Sequence, residues 1–177
     1  MLNTRIKPFT SILYFKNKFF EINEQYLKNS WSILFFFPFS FSFICPTELK
    51  DINKYINEFN NNKAKIFAIS TDSHFSQKNW IKQELSFINF PFISDFNHNI
   101  SKNFNILNKK DGNSLRSTII LDPNLIIKSI DIIDSSISRS IKDIVNRIKM
   151  LSFTNLNNNQ VCPYSWNIDS KSIQINS

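Results

Sequence analysis

The chain has 177 residues, with a hydrophobic fraction of 42% and an aromatic fraction of 15%. A chain of this length buries a core without metal ions or disulfides, and this composition excludes a disordered protein. The formal net charge is +7, but the lysines are scattered and form no long basic run. We therefore predict a single folded unit that binds no nucleic acid.

The N-terminal residues lack the apolar core and the small-residue cleavage site of a secretory signal. The most apolar stretch, residues 33–45, is interrupted by Pro38 and two serines and is shorter than the ~20 residues that cross a bilayer. We expect a cytoplasmic protein that does not enter a membrane. In a reducing compartment, its two cysteines, Cys45 and Cys162, are expected to be catalytic or inert rather than joined in a structural disulfide.

The hydrophobic pattern predicts strands that alternate with helices. In chain order, the predicted elements are a strand at 32–37, a helix from about Cys45 with Leu49, Ile52, Ile56 and Phe59 on one face, a strand at 65–70, a helix at 75–85, a hairpin of 117–121 and 125–130 across 122–124, and a helix over 141–151. This alternation predicts an α/β fold whose sheet is covered on both sides. Residues 1–154 form the predicted domain, and residues 155–177 form a polar tail that must dock on it.

Cys45 follows the first predicted strand and its loop, at the start of the amphipathic helix. The N–H groups at a helix N-terminus favour negative charge, so this position favours the thiolate, which is the nucleophilic form of cysteine. The alternative is a small buried hydrophobic residue, which is a common role of a free cysteine. Position alone leaves both interpretations open.

Residues 38–48 read Pro-Phe-Ser-Phe-Ser-Phe-Ile-Cys-Pro-Thr-Glu and resemble the peroxidatic motif of the peroxiredoxins, Pro-x-x-x-Thr-x-x-Cys. Ser42 takes the threonine position and keeps a hydroxyl for the thiolate and the peroxide. The resemblance implies that Cys45 is the peroxidatic cysteine, that Pro38 shields it from water, and that Glu48 orients an arginine. Without the resemblance, Glu48 would be an ordinary exposed helix residue.

Two further segments resemble the same family in the same order. Residues 70–76, followed by Trp80, are similar to a segment associated with packing and subunit contacts, although Gln77 stands where a histidine is usual. Arg116, just before a predicted strand, matches the active-site arginine of the family. The resemblance implies that Arg116 stabilises the thiolate and the leaving oxygen. Taken alone, this arginine would be assigned to a surface salt bridge.

Residues 161–163, Val-Cys-Pro, followed by Trp166, resemble the resolving-cysteine tail of typical two-cysteine peroxiredoxins, most closely those of the bacterial alkyl hydroperoxide reductase type. The resemblance implies a thioredoxin-like fold of the peroxiredoxin type, with a central mixed sheet flanked by helices. It also implies that Cys162 attacks the sulfenic acid of Cys45 on a partner subunit, which gives a disulfide-linked homodimer.

The same resemblance implies the substrates and partners. Hydrogen peroxide and organic hydroperoxides are the expected substrates, and a flavoprotein disulfide reductase or thioredoxin is the expected electron donor. Five dimers commonly form a ring in this family. No cofactor is expected, because the thiolate itself is the nucleophile.

Two other classes of function remain as alternatives. A ring-forming holdase chaperone derived from a peroxiredoxin would not need two cysteines together with Ser42 and Arg116. A metal site would have to use four residues: Cys45, Cys162, His74 and His98. No Cys-x-x-Cys or His-x-x-x-His spacing supports such a site. The peroxidase is therefore the leading hypothesis.

Overall fold

A computed structural model of the chain describes residues 1–175. The strands of the main sheet are β1 (Thr10–Phe15), β2 (Lys18–Asn23), β3 (Trp31–Phe36), β4 (Ala64–Ser70), β5 (Phe92–Ser94), β6 (Ser117–Leu121) and β7 (Ile127–Ile132). The helices are α1 (Cys45–Lys54), α2 (Ile56–Asn61), α3 (His74–Glu84), α4 (Asn99–Asn103) and α5 (Ile141–Leu156), with a 3-10 helix at Glu24–Leu27. Within the described residues, no helix is long and apolar enough to cross a membrane.

The main sheet has seven strands in the order β2-β1-β5-β4-β3-β6-β7. The pairs β3–β4 and β4–β5 are parallel, and the other pairs are antiparallel. Side chains alternate along the central strand β3, so Ile33 and Phe35 belong to one core cluster, while Leu34 and Phe36 belong to the other. Both faces of the sheet are therefore covered, which confirms the predicted α/β fold with a mixed sheet.

The long helix predicted after Cys45 is interrupted. It ends at Lys54 and restarts at Ile56, with Tyr55 between the two segments. Leu49 of α1 and Phe59 of α2 nevertheless lie in the same core cluster. The hydrophobic stripe thus identified the buried face correctly, although it did not predict the break.

The predicted hairpin is present, but its second strand begins at Ile127, two residues later than expected. Leu125 has a φ of +67° and belongs to the turn. The Asp122 carboxylate accepts the backbone N–H groups of Asn124 and Ile126, both at 2.9 Å. These bonds extend the turn past the predicted three residues.

Helix α3 is joined to the sheet by Gln77, which stands at the position where the family usually has a histidine. The buried Gln77 side chain donates from Nε2 to Ser70 Oγ at 2.9 Å and to the Ile93 carbonyl at 3.0 Å. A glutamine amide therefore supplies the polar contact between α3 and the two neighbouring strands.

Helix α5 continues to Leu156, past the predicted start of the tail. The tail then forms a small hairpin of β8 (Gln160–Val161) and β9 (Ile173–Gln174). Trp166 is only 7% exposed and packs on Phe153 of α5, with ring centroids 4.8 Å apart. The tail thus docks on α5, while the division of the chain at residue 154 stays a prediction.

Candidate active site

Cys45 is the first residue of α1 and follows the loop that leaves the carboxyl end of β3. Pro46 comes next in the helix, where a proline is tolerated because the first N–H groups of a helix have no intrahelical partner. The Cys45 side chain is only 1% exposed. The fold therefore places this sulfur beneath the surface, at the amino end of a helix.

Arg116 directly precedes β6, whose first residue Ser117 pairs with Phe36 at the end of β3. This register brings the arginine to the loop that carries Cys45, although 71 positions separate the two residues. Arg116 Nη1 lies 3.7 Å from the Cys45 sulfur, and Nη2 donates to the Ser135 carbonyl at 3.1 Å. The guanidinium is buried and held from two sides.

Glu48, one turn into α1, joins two buried arginines. Its Oε2 accepts from Arg116 Nη1 at 2.6 Å and from Arg139 Nη2 at 2.8 Å. Its Oε1 accepts from the Arg139 backbone N–H at 2.8 Å and from Arg139 Nε at 3.0 Å. Burial by itself would raise the pKa of the Glu48 carboxyl, but the hydrogen bonds and charges of the two arginines hold that pKa below its ordinary value.

Arg139 was not assigned a role from the sequence. It lies 91 positions from Glu48 and precedes α5, so no short motif links the two residues. Its Nη1 also donates to the Ser117 carbonyl at 2.7 Å, and its guanidinium carbon lies 3.3 Å from the centroid of the Phe35 ring. Two arginines and one glutamate leave one net positive charge in the cluster. This charge lies beside the Cys45 sulfur.

Pro38 and Ser42 line the same cavity as Cys45. Pro38 is buried near the start of the loop that follows β3. The Ser42 hydroxyl donates to the Phe39 carbonyl at 2.8 Å, within its own turn. This geometry differs from the predicted bond to the thiolate, because the turn that positions Ser42 also provides the nearest acceptor. The Ser42 oxygen keeps lone pairs that can accept a hydrogen bond from a peroxide.

The cavity over Cys45 has a volume of about 440 Å³. One wall is apolar and includes Phe43, Leu115 and Ile132, while Asn113 and Arg116 provide polar groups. Such a cavity admits a small molecule with a polar reacting end and a short apolar body.

Cys162 lies apart from this cluster, just after β8 in the tail. Its sulfur is partly buried and lies 3.9 Å from the Met150 carbonyl of α5. Burial raises the pKa of the Cys162 thiol. Both cysteines are free thiols. The structure thus brings Cys45 together with Arg116 and Glu48, but it does not bring Cys162 to them within one chain.

The two histidines lie outside the cavity. His74 starts α3 and packs against the Phe75 ring, with centroids 4.1 Å apart, and His98 precedes α4 with a φ of +60°. Within residues 1–175, no group of three or more histidine, cysteine, aspartate or glutamate side chains is placed to hold a metal ion.

A mixed thioredoxin-like sheet with a buried cysteine at a helix start, facing an arginine, defines the peroxiredoxin class of oxidoreductases. A sequence profile described as the AhpC/TSA family matches residues 9–130. The chain is 32% identical to alkyl hydroperoxide reductase C of Pseudomonas aeruginosa over 98% of this chain and 94% of that protein. It is 35% identical to alkyl hydroperoxide reductase C of Amphibacillus xylanus over 94% of this chain and 90% of that protein.

Solved structures agree with this match. The reduced 2-Cys peroxiredoxin of Plasmodium vivax superposes with a TM-score of 0.91 at 26% identity, over 97% of this chain and 91% of that one. AhpC of Enterococcus faecalis superposes with a TM-score of 0.88 at 29% identity, over 92% of this chain and 98% of that one. The chain belongs to the AhpC/TSA family. The predicted fold and the predicted enzyme class, a peroxidase among the oxidoreductases, are thereby confirmed.

Proposed function

We propose that this chain is a two-cysteine thiol peroxidase that reduces hydrogen peroxide and organic hydroperoxides with Cys45 as nucleophile. The observation that carries the proposal is the distance of 3.7 Å between Arg116 Nη1 and the Cys45 sulfur. This pair lies in a buried cluster with one net positive charge. A thiolate in such surroundings is a stabilised and directed nucleophile.

In the first step, the Cys45 thiolate attacks the terminal oxygen of the hydroperoxide. The O–O bond breaks, an S–O bond forms, and Cys45 becomes a sulfenic acid while the alkoxide takes up a proton and leaves as an alcohol or as water. Arg116 stabilises the negative charge that moves from the sulfur to the leaving oxygen. Glu48 positions Arg116, Pro38 limits the access of water, and the Ser42 oxygen can accept from the peroxide hydroxyl.

In the second step, the Cys162 thiolate of a partner subunit attacks the sulfenic sulfur of Cys45. A disulfide forms and the sulfenic oxygen leaves as water. Cys162 lies in the tail that docks against α5 of its own chain, outside the Cys45 cavity, which favours a partner as the source of the resolving thiol. A dithiol of thioredoxin or of a flavoprotein disulfide reductase then reduces the disulfide and restores both thiols.

The smallest complete enzyme in this proposal is a homodimer, and five dimers form the ring. β7 is an edge strand of the main sheet, and its last residue, Ile132, lines the Cys45 cavity. A second subunit that paired along this edge would bring its own surface to the cavity. The cytoplasmic location stays a prediction.

Peroxide consumption in the presence of a dithiol reductant, together with non-reducing electrophoresis, tests the proposal. Wild type should consume peroxide and form a covalent dimer. Cys45→Ser should abolish both, and Cys162→Ser should form a sulfenic acid but no covalent dimer. Wild type that suppresses the aggregation of an unfolded client but consumes no peroxide would support the holdase instead. Turnover near wild type in Cys45→Ser would disprove the mechanism.

A further inference from the structure

Strand β2 forms one edge of the main sheet and carries exposed aromatic side chains. Among the residues that the structure describes, β2 pairs with β1 alone. Five of its six residues are exposed, and the side chains of Phe19 and Phe20 are 36% and 44% exposed. An exposed edge strand with apolar side chains is a place where another strand can pair.

The main-chain groups that are free for pairing follow from the β1–β2 hairpin. Its turn consists of residues 16–17, which have φ of +47° and +64°, and Phe15 pairs with Lys18. The two residues that flank such a turn exchange both of their hydrogen bonds, and bonded positions then alternate along the strand. The even-numbered residues of β2 therefore bond to β1. The N–H and C=O groups of Phe19 and Glu21 point away from the sheet.

The two faces of this edge differ in chemistry. Phe19 lies on the face that α3 covers, where its ring centroid is 5.0 Å from that of His74 and 5.1 Å from Lys78 Nζ. Glu21 lies on the same face, because side chains alternate along a strand. Within the described residues, neither Glu21 nor Lys78 is in an ion pair. Phe20 lies on the opposite face.

A second copy of β2 fits this edge best in one antiparallel register. With Phe20 on a twofold axis, residues 18–22 overlap and Phe19 lies opposite the partner subunit's Glu21, so the outward main-chain groups of both residues meet. The same register brings the partner's Glu21 to the ring on which Lys78 lies. With Glu21 on the axis, two like charges would be opposed, which is destabilising. With Phe19 on the axis, only residues 18–20 would overlap.

We propose that β2 is a self-association surface, to which a second copy of this chain adds its own β2 as an antiparallel strand about a twofold axis at Phe20. Main-chain hydrogen bonds, a contact between the two Phe20 rings and an ion pair between Glu21 and the partner's Lys78 would hold the two copies together. β2 and β7 are opposite edges of the sheet. The contact is thus separate from the edge beside the Cys45 cavity, and the inference does not depend on the peroxidase proposal.

Sedimentation velocity of the full chain, from about 1 to 100 µM, tests the contact. The weight-average mass of wild type should rise with concentration. Phe20→Lys should move the midpoint of this rise to a concentration about tenfold higher, because it opposes two ammonium groups on the axis. Phe87→Lys is the matched control, since Phe87 is also 44% exposed but lies outside β2, and it should leave the midpoint unchanged. Peroxide consumption should be equal in the three proteins.

A charge swap tests the register. Glu21→Lys and Lys78→Glu should each raise the midpoint about fivefold, and the double variant should return it to within about twofold of wild type. In a mixture of unlabelled and ¹⁵N-labelled chains, a carbodiimide should join Glu21 of one chain to Lys78 of another, which mass spectrometry detects as a cross-link of mixed isotopes.

Three results would overturn the proposal. The first is the same midpoint in wild type and Phe20→Lys, which would leave the edge of β2 to a different partner. The second is a double variant that associates as weakly as the two single variants. The third is a cross-link between Glu21 and Lys78 that forms only within one chain, which would show that the two side chains meet without a second copy.

Discussion

The charge that acts on the Cys45 sulfur is supplied by Arg116, whose Nη1 lies 3.7 Å away. Arg116→Ala should slow the oxidation of Cys45 by peroxide about a hundredfold, because it removes a positioned donor to the transition state. Stopped-flow measurement of the oxidation step gives the rate. Arg147→Ala is the control, since Arg147 donates to Ser129 outside the cavity. An unchanged rate in Arg116→Ala would make Arg116 a purely structural residue.

Glu48 holds the two buried arginines together, and its effect on stability depends on pH. Its pKa is lowered in the folded state, so the stability that it contributes is present above the ordinary glutamate pKa of ~4.3 and is lost as the pH falls through the lowered value. Glu48→Gln should reduce the free energy of unfolding at pH 7 by about 3 kcal/mol, because it leaves buried arginine charge uncompensated. The difference from wild type should narrow below about pH 4.

Urea denaturation at pH 7 and at pH values below about 4 measures this difference. Glu58→Gln is the matched control, because Glu58 pairs with Lys149 in a partly exposed position and should cost less than about 1 kcal/mol. A pH-independent difference for Glu48→Gln would show that the glutamate acts through packing rather than through its charge.

The identity and spacing of residues along the chain were sufficient to predict most of the residues of the candidate site. Residues 38–48 span one loop and one helical turn, so the local sequence is enough to predict that these side chains lie near one another. Arg139 could not be found in this way, because its contact with Glu48 spans 91 positions and depends on how α5 enters the fold. The direction of the Ser42 hydroxyl could not be predicted either, because the hydroxyl donates to the Phe39 carbonyl of its own turn.

At the scale of elements, we expect the docked tail to control how Cys162 reacts. Trp166 anchors the tail on α5, and burial raises the pKa of the Cys162 thiol. A raised pKa keeps this residue in its unreactive thiol form up to a higher pH, so disulfide formation should become faster as the pH rises. Trp166→Ala should release the tail and lower the pH midpoint of disulfide formation toward the ordinary cysteine value of ~8.5.

Quenched-flow sampling over a range of pH, with electrophoresis of the blocked thiols, measures this midpoint. Tyr164→Ala is the control, because Tyr164 is two residues from Cys162 but 99% exposed. It should leave the midpoint unchanged. A midpoint that is equal in Trp166→Ala and wild type would show that tail docking does not govern the Cys162 thiol.

Elements with a clear hydrophobic period or a continuous apolar run were predicted, whereas the strands β1, β2 and β5 and the short helix α4 were not. β3 is buried at every position and could be read as a continuous apolar run. β2 is exposed at five of its six residues, and β5 has only three residues. Neither strand therefore shows a clear hydrophobic period along the sequence. These strands are specified by tertiary pairing with β1 rather than by their own sequence.

At the scale of the whole molecule, the proposal requires two subunits for each disulfide. A mixture of Cys45→Ser and Cys162→Ser subunits tests this requirement, because each variant alone lacks one of the two cysteines. After subunit exchange, a hybrid dimer has one complete pair, made of Cys45 from one subunit and Cys162 from the other. Turnover should recover to about a quarter of wild type, since half of the dimers are hybrids and each has one of its two sites complete.

The covalent product identifies the pairing directly. Mass spectrometry of the non-reduced band should find the Cys45 peptide of one variant joined to the Cys162 peptide of the other, if one variant carries an isotopic label. A mixture of Cys45→Ser with the double variant Cys45→Ser/Cys162→Ser is the control and should remain inactive. Because a disulfide within one chain cannot be restored by mixing, a mixture that gives neither turnover nor a mixed disulfide, although hybrid dimers are present, would show that Cys162 resolves Cys45 of its own subunit. In that case the tail would have to leave α5 and cross to the cavity of the same chain.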